Sequence, residues 1–202
     1  MVDEFNILVA GVGGQGALLS SRILSQAAVG EGQRVVCGEI HGMAQRGGSI
    51  TVHVRIGERV HGPIIPLGRA QVLLGLELIE PLRYMGYVSP QGLVVMSTSL
   101  VVPPSVWTTK GASYPSKEEV TWRVASFVRR LVTIDSMAIA RRAGNPLAAN
   151  VVMLGALAEV VALPFSREAL LAAVKENTPP KELKANLKAF RLGAEEAKAV
   201  AE

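Results

Sequence analysis

The sequence predicts an α/β protein: a three-layer domain with a mostly parallel sheet and an inserted β-hairpin. Three observations carry that reading. Short apolar runs of strand length alternate with stretches of helical periodicity. The first forty residues read as strand, glycine turn, helix, strand. No repeat and no Pro-, Gly- or Ser-rich linker divides the 202 residues, so 1–202 reads as a single domain.

Phe5 to Ala10 is an apolar run that ends at glycines, the pattern of a buried parallel strand. Ala17 to Ala28 follows with Leu18, Leu19, Ile23, Leu24 and Ala27 at helical spacing. Arg34 to Ile40 reads as the second strand, and Cys37 within it as a buried thiol. Ser49 to Ile56 alternates strictly: Ile50, Val52, Val54 and Ile56 on one face, Thr51, His53 and Arg55 on the other. That is a half-buried strand. Gly57-Glu58 reads as a tight turn into a partner strand around Arg59 to His61, ended by Pro63 and Pro66. Val72 to Leu76 and Leu93 to Ser97 are further strands around a helix from Glu77 to Met85. Val102 to Pro115 has three prolines and no period, so it reads as loop. Lys117 to Arg130 is helical, Val132 to Ile134 a short strand and Ser136 to Ala143 a short helix that Asp135 caps. After Gly144-Asn145-Pro146, Leu147 to Val161 is a helix apolar nearly all round, hence deeply buried. Ser166 caps the next helix, and a charged helix from Lys181 to Ala201 closes the chain.

Composition excludes several classes. At 49% hydrophobic and 19% charged, the chain has the material for a packed core and is not disordered. One cysteine builds neither a disulfide framework nor an iron–sulfur cluster, which takes about four thiolates. The start MVDEFNILVAG carries acids where a signal peptide carries bases. The longest apolar stretch, Val151 to Phe165, is broken by Glu159 and Pro164 and is shorter than the roughly 18 residues of a membrane span. A cytoplasmic protein without a membrane anchor is expected. A net charge of +4, scattered bases and 4% aromatics argue against nucleic-acid binding. The low charge and high apolarity fit either a subunit interface or a densely packed core.

Two segments carry functional residue types. Gly11-Val12-Gly13-Gly14-Gln15-Gly16 matches G-x-G-x-x-G at the end of the first strand, which makes the domain Rossmann-like. Such a loop brings backbone N–H groups and a helix N-terminus to a phosphate; it also serves as a plain tight turn. Glu39 lies where a ribose-binding acid sits in dinucleotide folds. Glu39-Ile40-His41-Gly42-Met43-Ala44-Gln45-Arg46-Gly47-Gly48 places an acid, an imidazole, an amide and a guanidinium at the carboxyl end of the second strand. His41 suits acid–base work and Arg46 suits clamping an anion, while Gly47-Gly48 permits a sharp turn or a close approach. A structural loop whose side chains bond their own backbone is the competing reading. His53 and His61 lack the carboxylate company of a metal site. No G-x-S-x-G, P-loop or H-E-x-x-H occurs.

Taken together, GVGGQG, EIHGMAQRGGSITVHVRIG, RAQVLLGLE and LIEPLRYMGYVSPQGLVV resemble the gamma-type domain of the 2-oxoacid:ferredoxin oxidoreductases over about residues 5 to 195. The HGMAQRGG segment is most similar to the small (beta) subunits of the indolepyruvate type. The resemblance implies an enzyme subunit, active only with a large (alpha) partner. The implied reaction decarboxylates an arylpyruvate oxidatively, giving acyl-coenzyme A and CO2 and passing electrons to ferredoxin. Thiamine diphosphate, magnesium and the 4Fe–4S clusters are then expected on the large subunit, with coenzyme A as co-substrate and no metal on this chain. Gly11, Gly13, Gly14, Gln15, Gly16, Gly47 and Gly48 become candidate cofactor-binding positions, and His41, Gln45 and Arg46 candidate catalytic ones. Two alternatives stay open: a stand-alone NAD(P)-binding oxidoreductase using Glu39, and a non-catalytic assembly subunit.

Overall fold

A computed structural model describes residues 2–44, 47–102, 106 and 113–201. Most of the expected loop at 102–115 therefore lies outside the described residues. The elements are β1 (Phe5–Val12), α1 (Ala17–Gly30), β2 (Val35–His41), β3 (Ser49–Ile56), β4 (Ala70–Gly75), α2 (Glu80–Arg83), β5 (Val88–Ser97), α3 (Lys117–Phe127), β6 (Arg130–Ile134), α4 (Ser136–Ala143), α5 (Ala149–Val160), α6 (Arg167–Glu176) and α7 (Leu183–Ala201). They form the expected three layers around a six-stranded sheet in the order β2-β3-β1-β4-β5-β6. β1, β4, β5 and β6 pair in parallel; β3 alone runs against its neighbours, β1 and β2.

Alternation of side chains across the strands divides the core in two. Ile7 and Val9, Val52 and Val54, Val72 and Leu74, and Val132 and Ile134 face the layer of α1 and α4 to α7. Leu8, Ala10, Leu73, Val94 and Met96 face the other layer, which includes α2 and α3. α5 is buried almost all round, as its composition predicts. It packs against α7 backbone to backbone: a Cβ on Gly155 would lie 2.0 Å from the Phe190 carbonyl oxygen, and one on Gly193 2.1 Å from that of Val152.

The inserted hairpin is present, with different partners from those expected. β3 pairs with β2, from Val35 opposite Ile56 to His41 opposite Ile50, and not with residues 59–61. The reason lies on the polar face of β3. Arg55 Nη1 donates to the carbonyls of Gly62 (2.8 Å) and Ile64 (3.1 Å), so this segment is gripped by a guanidinium instead of a strand ladder. The His53 ring accepts from the Ile65 N–H at 3.2 Å, and Tyr87 packs edge-on against it. Thr51, His53 and Arg55 are consequently buried, and β3 is covered on both faces. Burial, then the nearby Arg55 charge, hold the His53 imidazole below its usual range.

Cys37 corrects a second expectation. It is exposed, because β3 occupies the place beside β1 and pushes β2 to the sheet edge. Its sulfur lies 3.0 Å from Ser25 Oγ, and partial burial raises the thiol pKa. Among the described residues no helix is long and apolar enough to cross a membrane.

Two predictions follow from this packing. Ala is favoured over Gly in a helix by about 1 kcal/mol, yet Gly155→Ala drives a methyl into the Phe190 carbonyl. We expect a net loss of about 2 kcal/mol or more, read as a lower midpoint in urea unfolding. Glu4 is held to about 2, chiefly by the Asn6 amide and then by Arg55 and Arg69, with burial opposing. A carboxyl depressed from about 4.5 in the unfolded chain to about 2 stabilises the fold fully above the higher value. That contribution is lost as pH falls towards the lower one. Glu4→Gln should cost about 1–2 kcal/mol at neutral pH, and the gap to the parent should close in unfolding curves taken down through this window.

Candidate functional site

The carboxyl ends of the parallel strands meet at one edge of the sheet, where open α/β folds place ligands. β1 ends there and passes into α1 through Gly13 to Gly16. Gly14 (φ +100°) and Gly16 (φ +80°) take left-handed backbone, which residues with a Cβ resist. Gly16 also lies against α5, where a Cβ would come within 2.9 Å of Asn150 Nδ2. Gln15 folds back so that its Oε1 accepts the Val12 N–H at 3.0 Å. Gly11 leaves room for this, since a Cβ there would meet Gln15 Oε1 at 3.0 Å. The Gln15 amide therefore closes the loop. α1 begins without a side-chain cap and without an acid in its first turn.

The loop between β2 and β3 comes down on this turn. Gly13 N–H donates to the Gly48 carbonyl at 2.8 Å, and Gly47 N–H donates to the Gly13 carbonyl at 3.2 Å. Two loops 34 positions apart (47 − 13) are thus joined backbone to backbone. Together they border a hollow of about 270 Å³ that includes Gly13, Leu18, His41 and Gly48. His41 is exposed at the end of β2, its Nδ1 2.9 Å from the Gly42 carbonyl oxygen. Gln45 and Arg46 lie outside the described residues. Leu18, in the wall of this hollow, is an exposed apolar side chain, as are Ile40 and Met43 on either side of His41 in sequence.

A larger cleft of about 580 Å³ opens on the other side of the glycine turn, lined by Gly14 and Gln15 and by residues that follow β4, β5 and β6. Sequence reasoning missed most of its walls. Asn150 is 4% exposed, its Nδ2 is 3.5 Å from Ser20 Oγ, and no described donor reaches its Oδ1. Ser136 Oγ lies 2.7 Å from Ser97 Oγ at the start of α4, and Arg141 stands one turn further along that helix. Asp135 caps α4 as expected, accepting from Ala138 N–H at 3.0 Å. The legible signal was Asn150, a lone amide in an otherwise apolar helix.

Behind both loops lies the turn from β4 into α2. Glu77 is fully buried, and its carboxylate accepts from the N–H groups of Ile79, Glu80 (3.0 Å) and Val101 (3.1 Å). Burial pushes its pKa up, against those bonds. Glu80, 5% exposed, accepts from Ser49 Oγ and pairs with Arg83 at 3.2 Å.

Glu39 stands apart from the glycine turn. β3 intervenes between β2 and β1, so its strand is two spacings from β1, about 10 Å. A ribose-binding acid needs the adjacent strand, so the dinucleotide alternative loses its second ligand.

Fold and site define a Rossmann-like α/β domain with an antiparallel strand wedged beside the first. The chain belongs to the pyruvate ferredoxin/flavodoxin oxidoreductase family, whose sequence profile matches residues 6–196. It is 43% identical to indolepyruvate oxidoreductase subunit IorB of Archaeoglobus fulgidus over 194 residues, 96% of each chain. The identity with the Pyrococcus horikoshii protein of the same name is 40% over 198 residues, 98% of each. Among solved structures it resembles the keto/oxoacid ferredoxin oxidoreductase gamma subunit of Geobacter sulfurreducens, with a TM-score of 0.71 and 25% identity, covering 96% of this chain and 99% of that one.

The two left-handed glycines make a matched test. At Gly14 nothing lies within 4 Å of a Cβ, so Gly14→Ala costs only the backbone strain, about 1 kcal/mol. Gly16→Ala adds the collision with Asn150, and should cost at least about 1 kcal/mol more in denaturant unfolding.

Proposed function

We propose that this chain is the small subunit of an indolepyruvate-type ferredoxin oxidoreductase, working as one gamma-type domain over 1–202. The observation that carries this is the near-full-length likeness to subunits of that name, 43% and 40% identical. The complex would convert an arylpyruvate and coenzyme A to acyl-coenzyme A and CO2. The electron pair released in decarboxylation would pass to ferredoxin.

The donor set of this chain does not fit the redox groups. One cysteine falls short of the thiolates a 4Fe–4S cluster takes. Among the described residues no three His, Cys, Asp or Glu side chains gather as metal ligands. On this reading thiamine diphosphate, magnesium and the clusters would sit on the large subunit, which ferredoxin would also meet. Cytoplasmic ferredoxin would set the compartment. The exposed Leu18 beside the two loops fits a face that the large subunit would cover, since exposed apolar surface at a site marks interaction.

This chain's part would be to seat anionic reactants at the edge where its two loops meet. Gly11, Gly13, Gly14, Gln15 and Gly16 form the turn that borders the cleft, and Gly47 and Gly48 hold the second loop on it. Coenzyme A is the ligand this reading places there: backbone N–H groups and the open start of α1 suit phosphate oxygens. Arg46 would clamp an anionic group, with His41 and Gln45 hydrogen-bonding substrate.

Arg46→Ala in the purified complex should reduce kcat/KM at least about tenfold, the loss of one charge-assisted contact. Cluster content and subunit assembly should stay unchanged. Undiminished turnover with unchanged coenzyme A affinity would contradict the role given to Arg46.

A further inference from the structure

The β1–β3 ladder ends at Val12 opposite Ser49, and the backbone bonds between Gly13 and the Gly47–Gly48 pair begin one residue beyond it. Ser49 stands at this junction. Its hydroxyl donates to Glu80 Oε2 and lies 2.8 Å from the Tyr84 hydroxyl. Glu80 itself has little freedom. Its N–H is bound by the buried Glu77 carboxylate, whose other oxygen holds Val101 in the wall of the cleft. The following Pro81 ring packs on β4 so closely that a Cβ on Gly75 would lie 2.1 Å from it. The Leu76 N–H ties the same turn to the Ala10 carbonyl of β1 at 2.8 Å.

A buried carboxylate is costly unless its bonds are met. The other oxygen of Glu80 pairs with the exposed Arg83 at 3.2 Å, and eight ladder pairs already set the β3 register without it. What the carboxylate adds is a fixed point for the residue that follows the paired glycines. From this geometry we infer that Glu80 is a positioning residue for the reaction: acting through Ser49, with Tyr84 beside it, it sets where the Gly47–Gly48 end of the loop rests on the glycine turn. The inference rests on the reading that these two loops border the reacting ligands.

Displacing a bound group by about 1 Å costs on the order of a hundredfold in rate. Ser49→Ala in the reconstituted complex should therefore lower kcat/KM about ten- to hundredfold. Ser49→Thr, which keeps the hydroxyl on a strand-favouring side chain, should restore most of it. Tyr84→Phe should give a smaller loss, because Glu80 still holds the serine. The decisive measurement is the double variant. If Glu80 acts through Ser49, adding Glu80→Gln to Ser49→Ala lowers kcat/KM no further. Hydrogen exchange gives the structural readout: Ser49→Ala should speed exchange at the Gly13 and Gly47 amides, and Ser49→Thr should not.

Multiplicative losses in the double variant, or exchange unchanged by Ser49→Ala, would overturn the inference. Should Glu80→Gln fail to fold, Ser49→Ala against Ser49→Thr still decides it. Faster exchange with unchanged kcat/KM would overturn the role in the reaction. Arg46→Ala in the same assay then tells where the fault lies: full activity there counts against the proposed site, and a loss there confines the fault to the Glu80–Ser49 inference.

Discussion

The site depends on one pairing, the antiparallel ladder between β1 and β3. It runs from Phe5 opposite Ile56 to Val12 opposite Ser49. An antiparallel pair sets the end of one strand beside the start of the other. The turn after β1 and the loop before β3 therefore have to meet, although 34 positions separate Gly13 from Gly47. Had β2 lain beside β1, as in a simple β-α-β unit, the second loop would begin from an adjacent parallel strand and Glu39 would flank the turn. The wedge of β3 exchanges an acid for a polar, glycine-paired loop at the ligand edge. The same exchange removes the adjacent-strand acid that a dinucleotide site uses and, on the proposed function, leaves a surface for anionic reactants.

That wedge has to be held, and polar bonds under a thin roof hold it. Arg55 donates to Asn6 and Glu4 on β1's side and to the carbonyls of Gly62 and Ile64 on the other. One guanidinium thus fastens β3 to the chain that precedes β1 and to the segment that covers it. Arginine suits this place because its planar fork serves several acceptors at fixed angles. Glu4 completes the cluster by accepting from Asn6 and Arg69 as well. Its depressed pKa records how many donors converge on it.

Much of this was legible in the chain. Caps at Asp135 and Ser166 announced two helices that the structure begins at the next residue. The alternation of Ser49 to Ile56 identified a strand correctly, because period two survives whatever covers the faces. What it could not reveal is which polar face meets water. Thr51, His53 and Arg55 look solvent-facing by type, and only the carbonyls of a distant irregular segment make them a core. Strand order was hidden for the same reason: β2 and β3 have equal claims to the place beside β1 by apolarity, and the choice is made by pairing across the sheet. Glu77 and Glu80 read only as part of a helix from Glu77 to Met85. Nothing local to them signals that one binds Val101 and the other Ser49.

The exposed apolar residues can now be separated from the apolar core. The two core layers absorb most of the chain's aliphatic side chains. Leu18 remains outside in the wall of the hollow between the two loops, and Ile40 and Met43 are exposed in the loop segment beside it, among other exposed apolar side chains such as Trp122, Phe127 and Leu147 elsewhere. An edge strand with bare backbone, an uncapped helix start and an exposed leucine beside them are an expensive combination to leave in water. Each feature alone is tolerable in a monomer. Their coincidence at the carboxyl edge of the sheet is what the proposed function calls for: this chain would supply the loops, and the wall that dries them and carries the redox groups would come from another polypeptide.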